Sequence, residues 1–150
     1  MNRFVAAVVA AVLASAPMAA SAENYNRYSD AAAQSELSRI AEVEMAVMVP
    51  MRDGVGLATN IYRPKGAKGA LPTVFIKTPY NELAYNARST RTALTWVSRG
   101  YALVMQNERG RYFSQGEYEI LGYPQTDGYD ALTWIAAHPW SNGKVGTLGC

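Results

Sequence analysis

The chain has 150 residues, of which 49% are hydrophobic and 17% charged, and its formal net charge is +2 at pH 7. This composition excludes a disordered or fibrous protein, and the length allows one modest hydrophobic core. The basic residues are scattered and form no stripe of the kind that neutralises phosphates, so no nucleic-acid partner is expected.

The N-terminus is typical of a secretory signal peptide spanning residues 1–22. Arg3 supplies a positive charge ahead of an apolar run over residues 4–16, and Ala20 and Ala22 match the small-residue pattern of a cleavage site. The apolar run is shorter than the roughly 20 residues that a helix needs to cross a bilayer. We therefore expect cleavage after Ala22, no membrane partner for the mature chain, and a periplasmic or secreted protein.

Residues 23–45 form the leader of the mature chain, ahead of a domain that we place at residues 46–150. In the leader, apolar residues recur at helical spacing and predict a short amphipathic helix over residues 30–41. Two β-type runs follow at 43–50 and 57–62. The residues between these runs favour a tight turn, so a β-hairpin is predicted.

Strands and helices alternate after the hairpin. A β-branched and aromatic run at residues 73–77 predicts a buried strand. Residues 90–98 carry their apolar side chains on one helical face and predict a helix. Residues 101–105 are again apolar and predict the next buried strand.

The last third of the chain repeats this alternation. Thr126 is predicted to cap a helix that ends at His138, because a proline follows there. A turn at residues 141–143 then leads into a final buried strand at 144–148. Strands alternating with helices predict an α/β fold with a mostly parallel sheet and helices on both faces.

The chain ends where a nucleophile elbow is expected. An apolar strand that enters a Gly-x-nucleophile-x-Gly turn is the elbow of α/β-hydrolases. With Gly149 as the first glycine, the nucleophile is the residue after Cys150. A nucleophilic Cys150 would instead need glycine at the position of Leu148, so we interpret Cys150 as a packed neighbour. The sequence thus predicts the first half of an α/β-hydrolase domain.

Ligands bind beyond the carboxyl ends of the strands in open α/β sheets, where residues 78–81, residues 106–116 and the elbow would converge. Tyr80 is the best catalytic candidate, because its phenol could donate a hydrogen bond to a developing oxyanion. The alternative is a buried tyrosine that satisfies a neighbouring group.

Two further residues are candidates for substrate binding at this edge. Asn81 follows Tyr80 directly, and Arg109 lies in the long polar loop after the second buried strand. The alternative for Arg109 is a structural ion pair with Glu108, or with Asp127 and Asp130. These two aspartates lie three positions apart in the first turn of a predicted helix, where capping and pairing explain them without acid–base chemistry.

The single histidine, His138, is not expected to be a catalytic base. It lies at a predicted helix C-terminus ahead of a proline, away from the carboxyl ends, where capping is the favoured role. In α/β-hydrolases the acid and the histidine follow the nucleophile in sequence. No cluster of side chains has metal-ligand spacing and no glycine-rich phosphate loop occurs, so no cofactor is expected.

Short motifs occur in a characteristic order between residues 48 and 150. They are Met-Arg-Asp-Gly at 51–54, Tyr-Arg-Pro at 62–64, Lys-Thr-Pro-Tyr at 77–80, Arg-Gly and Ser-Gln-Gly within 109–116, and Asp-Gly-Tyr-Asp at 127–130. Each motif is weak alone, but together they are specific. The segment resembles the start of the X-prolyl dipeptidyl-peptidase and cocaine-esterase-like (CocE/NonD) family of serine hydrolases, which includes α-amino acid ester hydrolases and glutaryl acylases.

The resemblance implies that Tyr80 matches the oxyanion-hole tyrosine of the family and that a serine directly follows Cys150. It also implies a later aspartate and histidine, a helical cap and a C-terminal β-sandwich, all beyond this chain. In many relatives the position of Asn107 is an aspartate, which implies that a structural ion pair of that loop is altered here.

The expected function is that of an exported serine hydrolase that acts through an acyl-enzyme. Its expected partner is a small ester, amide or short peptide, with X-Pro dipeptides and α-amino acid esters among the candidates. The chain itself is expected to be an incomplete N-terminal piece without activity. Two alternatives stay open, an exported relative that binds without catalysis and a hydrolase that uses Cys150.

Overall fold

A computed structural model describes residues 31–149 apart from 82, 84, 85 and 121–123. The predicted signal peptide over residues 1–22 and Cys150 lie outside the described residues. Among the helices of the described part, none is long and apolar enough to cross a membrane.

The described residues form a five-stranded sheet in the order β1-β2-β4-β3-β5. The strands are β1 (Ala41–Pro50), β2 (Gly56–Pro64), β3 (Leu71–Thr78), β4 (Ala102–Asn107) and β5 (Ser141–Thr147). β1 and β2 form an antiparallel hairpin, and β2 also pairs antiparallel with β4. β3 lies parallel to both β4 and β5. The predicted hairpin and the parallel part of the sheet are confirmed.

Helices cover both faces of this sheet. They are α1 over residues 31–40, α2 (Ala87–Val97) and α3 (Pro124–Ala137). α1 and α2 pack into one hydrophobic core and α3 into a second. Val74 of β3 belongs to the first core and Phe75 to the second, because successive side chains of a strand point to opposite faces. The predicted arrangement of helices on both faces is confirmed.

The predicted amphipathic helix of the leader corresponds to α1. Leu37 is only 1% exposed and packs in the same core as α2. The helix ends at residue 40, slightly before the predicted end, because Ala41 already pairs with Pro64 in the sheet.

The other helices start earlier than predicted. α2 starts at Ala87 because Asn86 and Ser89 form a reciprocal capping box. The Asn86 side chain accepts from the Ser89 N–H at 2.9 Å, and Ser89 Oγ accepts from the Asn86 N–H at 3.3 Å. α3 starts at Pro124, so Thr126 lies inside its first turn and the prediction of Thr126 as its cap is wrong. Proline suits the first helical position, where its missing N–H needs no partner.

The prediction of a buried final strand is wrong for the described residues. β5 is an edge strand in which only Ser141 and Val145 are partly buried, because the described sheet has a neighbour on one side of it alone. β5 starts at Ser141, and the turn expected at 141–143 is an irregularity between its two pairing stretches. Gly143 has a φ of 77° there.

Candidate active site

Strands β3 and β4 end side by side at the carboxyl edge of the sheet. Thr78, the last residue of β3, lies opposite Asn107, the last residue of β4, and its carbonyl accepts the N–H of Glu108 at 3.0 Å. Two residues beyond β3, Tyr80 is 66% exposed. Within the described residues Tyr80 is therefore exposed at the edge where α/β sheets bind ligands, and not buried as the alternative expects.

The backbone of Tyr80 is held in place although its side chain is exposed. The Tyr80 N–H donates to Thr78 Oγ1 at 3.1 Å, and the Tyr80 carbonyl accepts from Asn107 Nδ2 at 2.7 Å. The preceding carbonyl, of Pro79, accepts from Arg111 Nε at 3.0 Å. A fixed backbone beneath an exposed side chain is the arrangement that a ligand-contacting group needs. The oxyanion role itself stays a prediction.

Asn81 continues this loop and is exposed. Its carbonyl accepts a hydrogen bond from the Asn86 side chain at 3.2 Å, which ties the loop to the start of α2. The substrate-binding role of Asn81 stays a prediction, and its place beside Tyr80 makes the two residues neighbours at the same edge.

Arg109, two residues after β4, is the centre of a largely buried ion-pair cluster. Its guanidinium donates to Asp127 through two hydrogen bonds, Nη2 to Oδ1 at 2.7 Å and Nε to Oδ2 at 3.1 Å. Nη1 lies 2.8 Å from Oδ2 of Asp53. The hydrogen bond to Asp127 raises the pKa of Arg109, and the hydrogen bond from Arg109 lowers the pKa of the Asp53 carboxyl.

The cluster joins the β1–β2 turn, the loop after β4 and the first turn of α3. Pairing of Arg109 with Asp127 is one of the expected alternatives and is observed, whereas Asp130 pairs with Arg52, 2.7 Å from Nη2 to Oδ1. The substrate-binding role of Arg109 stays a prediction. A substrate carboxylate at this guanidinium would compete with Asp127 and Asp53.

An open cleft of about 360 Å³ lies beside the carboxyl end of β5. It is lined by Phe75, Lys77, Thr147, Leu148 and Gly149. Lys77 Nζ lies 3.2 Å from Gln106 Oε1 and 4.0 Å from Asp127 Oδ2. Burial lowers the pKa of Lys77, and the Asp127 charge opposes this shift. The cleft thus joins a mostly buried lysine to the segment that leads to the predicted elbow.

His138 lies directly after α3, at the helix end where the sequence places it. Its Nδ1 is 3.0 Å from the Trp134 carbonyl oxygen, and its ring centroid lies 3.8 Å from that of Trp134 and 5.3 Å from that of Trp140. Packing between two tryptophans explains its position. Across the described part of the chain, no three His, Cys, Asp or Glu side chains gather in a way that could hold a metal ion.

Three contacts of this edge escaped the sequence analysis. Asn107 and Arg111 lie in the loop that the sequence assigns to the edge, but their acceptors are backbone carbonyls, which leave no mark in a residue pattern. Asp53 is part of a turn motif, and the turn explains an aspartate there without a partner. Arg109 follows a buried strand without a neighbouring acid that must pair with it, and Asp53 lies in a turn. An arginine and an aspartate of this kind are the signal that could have suggested the pair.

A family model for the X-Pro dipeptidyl-peptidases (S15 family) matches residues 53–150. The chain belongs to this family. The resemblance inferred from the motifs is thereby confirmed. The cocaine esterase of Rhodococcus sp. (strain MB1 Bresler) is 42% identical to this S15 chain over 105 residues, a match that covers 69% of the chain and 18% of the esterase. The chain therefore spans less than a fifth of that relative.

Solved structures agree with the fold of the S15 chain. An α-amino acid ester hydrolase is 34% identical with a TM-score of 0.61, over 73% of this chain and 21% of that one. A CocE/NonD family hydrolase from Staphylococcus aureus is 26% identical with a TM-score of 0.62, over 73% and 23% of the two chains. These matches and the strand order confirm the N-terminal part of an α/β-hydrolase fold.

Proposed function

We propose that the whole protein to which this chain belongs is an exported serine hydrolase that cleaves acyl ester or amide bonds. Membership of the S15 family and the similarity to an esterase and an ester hydrolase support this class of reaction. The observation that carries the proposal is the place of Tyr80, exposed at the carboxyl edge with its carbonyl held by Asn107.

The proposed role of Tyr80 is to donate its phenol hydrogen to the oxyanion. Attack of a serine oxygen on an acyl carbonyl makes a tetrahedral oxyanion, and donors placed for that oxygen stabilise it more than the ground-state carbonyl. The serine is expected directly after Cys150. Collapse of the oxyanion expels the alcohol or amine and leaves an acyl-enzyme, from which water then releases the acid.

The proposed substrates are small acyl esters, amides or short peptides. X-Pro dipeptides and α-amino acid esters are named candidates because the family and one structural neighbour carry these names. Export is proposed from the signal-peptide pattern of residues 1–22. A mature chain starting at Glu23 in the periplasm or medium would support export, and a cytoplasmic chain that keeps Met1 would contradict it.

Tyr80→Phe in the whole protein tests the catalytic role. The substitution removes one hydroxyl and keeps the ring, so we expect kcat to fall about 10²- to 10³-fold, the usual effect of losing one oxyanion donor. KM should change little, since the interaction is made chiefly in the transition state. The measurement is steady-state hydrolysis of an acyl ester, an α-amino acid ester and an X-Pro dipeptide anilide.

Tyr129→Phe is the matched control, because Tyr129 is 63% exposed on α3 and loses the same hydroxyl. Its activity should equal that of the unchanged protein. Full activity of Tyr80→Phe would contradict the proposed role. Labelling by a fluorophosphonate supports the serine mechanism, inactivation by thiol alkylation alone would support Cys150 instead, and no hydrolysis at all would favour a binding relative.

A further inference from the structure

The loop that carries Tyr80 has an unusual pattern of hydrogen bonds. All four described residues of this loop before Asn86 have a backbone carbonyl that accepts from a side chain. The pairs are Arg111 Nε to Pro79 (3.0 Å), Asn107 Nδ2 to Tyr80 (2.7 Å), Asn86 Nδ2 to Asn81 (3.2 Å) and Asn60 Nδ2 to Leu83 (3.1 Å). At the exposed residues Tyr80 and Asn81 the carbonyls need no protein donor, since water can satisfy them. The side chains therefore fix the path of the loop.

The contact from Asn107 to Tyr80 is the shortest of the four. Asn107 is completely buried, and its own carbonyl accepts from Ser114 Oγ at 3.0 Å, which anchors its backbone. A carbonyl oxygen can only accept, so the side-chain atom that faces Tyr80 must be the amide nitrogen. The family resemblance implies an aspartate at this position in many relatives, which would need another donor for the corresponding carbonyl; in this chain an ionised aspartate would place a second acceptor against the Tyr80 carbonyl.

The other end of the Asn107 amide finds no donor within the described part of the chain. Its Oδ1 is buried and accepts no hydrogen bond from the described residues. A buried acceptor without a donor does not stabilise the fold, so the favourable contacts of this amide among the described residues lie on its nitrogen side. The interactions of its amide are those of Nδ2, with the Tyr80 carbonyl at 2.7 Å and the Thr78 carbonyl at 3.5 Å.

We propose that Asn107 is a positioning residue for Tyr80. Its amide fixes the Tyr80 carbonyl, and Arg111 fixes the preceding one, so that the backbone from which the exposed phenol projects is held in place. Donors act in catalysis only when they are held within about 0.5 Å of the productive place, and an exposed side chain on a free loop would not be. This inference rests on the proposed function, in which Tyr80 is the oxyanion donor.

A double-mutant cycle in the whole protein tests the inference. We compare kcat for one acyl ester in the unchanged protein, Asn107→Asp, Tyr80→Phe and the double variant. Asn107→Asp should lower kcat by about 10-fold or more alone, but less than about 2-fold in the Tyr80→Phe background, because there is no phenol hydroxyl left to position. A purely structural role would lower kcat by the same factor in both backgrounds and would overturn the inference.

Asn142→Asp is the matched control for the added charge. Asn142 lies in β5, and its Oδ1 accepts from the Lys144 N–H at 2.9 Å, which a carboxylate also does. Its kcat should stay unchanged. If Asn107→Asp does not fold, Arg111→Met replaces it in the same cycle, with the same expected non-additivity and a smaller effect.

The outcomes separate the inference from the function on which it rests. Full activity of Tyr80→Phe would overturn the oxyanion role and the positioning role together. Suppose instead that Tyr80→Phe lowers kcat strongly, while Asn107→Asp leaves kcat unchanged or lowers it equally in both backgrounds. This result would overturn the positioning role alone. If each single variant lowers kcat strongly and the double variant is little worse than Tyr80→Phe alone, the result supports both the oxyanion role and the positioning role.

Discussion

Two arginine–aspartate pairs hold α3 to the rest of the chain. They differ in burial and not in the distance between the charged groups. Arg109 with Asp127 and Arg52 with Asp130 both have a closest contact of 2.7 Å, and the two aspartates lie three positions apart. In the first pair the side chains are 8% and 2% exposed. In the second they are 55% and 13% exposed.

The comparison shows that a distance alone does not give the importance of an ion pair. Charges attract more strongly where water is excluded, and removal of one partner there leaves an uncompensated buried charge. An exposed pair is screened by water and salt and loses side-chain entropy when it forms. We therefore expect Arg109 to hold the carboxyl-edge loop and Arg52 to contribute little.

The largest expected effect is that of Arg109→Met in the whole protein. It leaves Asp127 buried without its two hydrogen bonds, and losing one partner of a buried pair costs about 3–5 kcal/mol. Urea unfolding, followed by the fluorescence of Trp134 in α3 and of Trp140 after it, measures the change. A loss below about 1 kcal/mol would show that water replaces the guanidinium and would remove the contrast between the two pairs.

Arg109→Lys is the conservative control. Lysine keeps the positive charge but cannot make the two parallel hydrogen bonds to a carboxylate. The aliphatic part of Arg109 is also packed, because a Cβ at Gly116, where φ is 82°, would lie 2.9 Å from Cγ of Arg109. A side chain of another shape leaves this contact incomplete. We therefore expect the free energy of unfolding of Arg109→Lys to lie between that of Arg109→Met and that of the unchanged protein.

The sheet was readable from the sequence because strands and helices differ in hydrophobic period. The hairpin and the strands β3 and β4 follow from apolar runs and turn residues, and the parallel direction of β3 and β4 follows from the helix predicted between them. The first residues of the helices were harder to predict from the sequence. Asn86 and Ser89 form a capping box without the usual glutamate, and Pro124 competes with Thr126 as the start of α3.

Only part of the candidate site could be predicted from the sequence. Tyr80 follows from its place after β3, since strand ends define the binding edge. The partners of the site do not follow, because the donors Asn107 and Arg111 act on backbone carbonyls far along the chain. The apolar and glycine residues of β5 suggest a buried strand, whereas the described part of the sheet leaves β5 at an edge.

Acid should weaken the ion pairs of both arginines, through Asp130 at Arg52 and through Asp53, the second partner of Arg109. The pKa of Asp130 is lowered mainly by the hydrogen bond from Arg52, and that of Asp53 mainly by the hydrogen bond from Arg109. A carboxyl with a lower pKa in the folded state stabilises the protein above its unfolded pKa of about 3.9 and stops doing so as pH falls through the folded pKa.

The expected result is therefore a fall in the urea midpoint as pH decreases below about 4. Asp130→Asn and Asp53→Asn should each make this decline shallower, since the substituted amide does not titrate. The measurement is a series of urea titrations between about pH 6 and pH 2. Curves that stay parallel to that of the unchanged protein would show that these two carboxyls do not link folding to pH.

The smallest loss of stability is expected for Arg52→Met. The dependence of this loss on salt is the most direct test of the difference between the exposed and the buried pair. Asp130 keeps one donor after the substitution, because the backbone N–H of residue 52 donates to Asp130 Oδ2 at 2.9 Å. The unfolding temperature should change by about 2 °C or less, and by less still at 1 M salt, where the Debye length is about 3 Å. The loss caused by Arg109→Met should persist at the same salt concentration, because water and ions do not reach a buried pair. If both variants responded equally to salt, burial would not be what distinguishes the two arginines. The Asp53 carboxylate, a second partner of Arg109, would then become the reason for any difference between them.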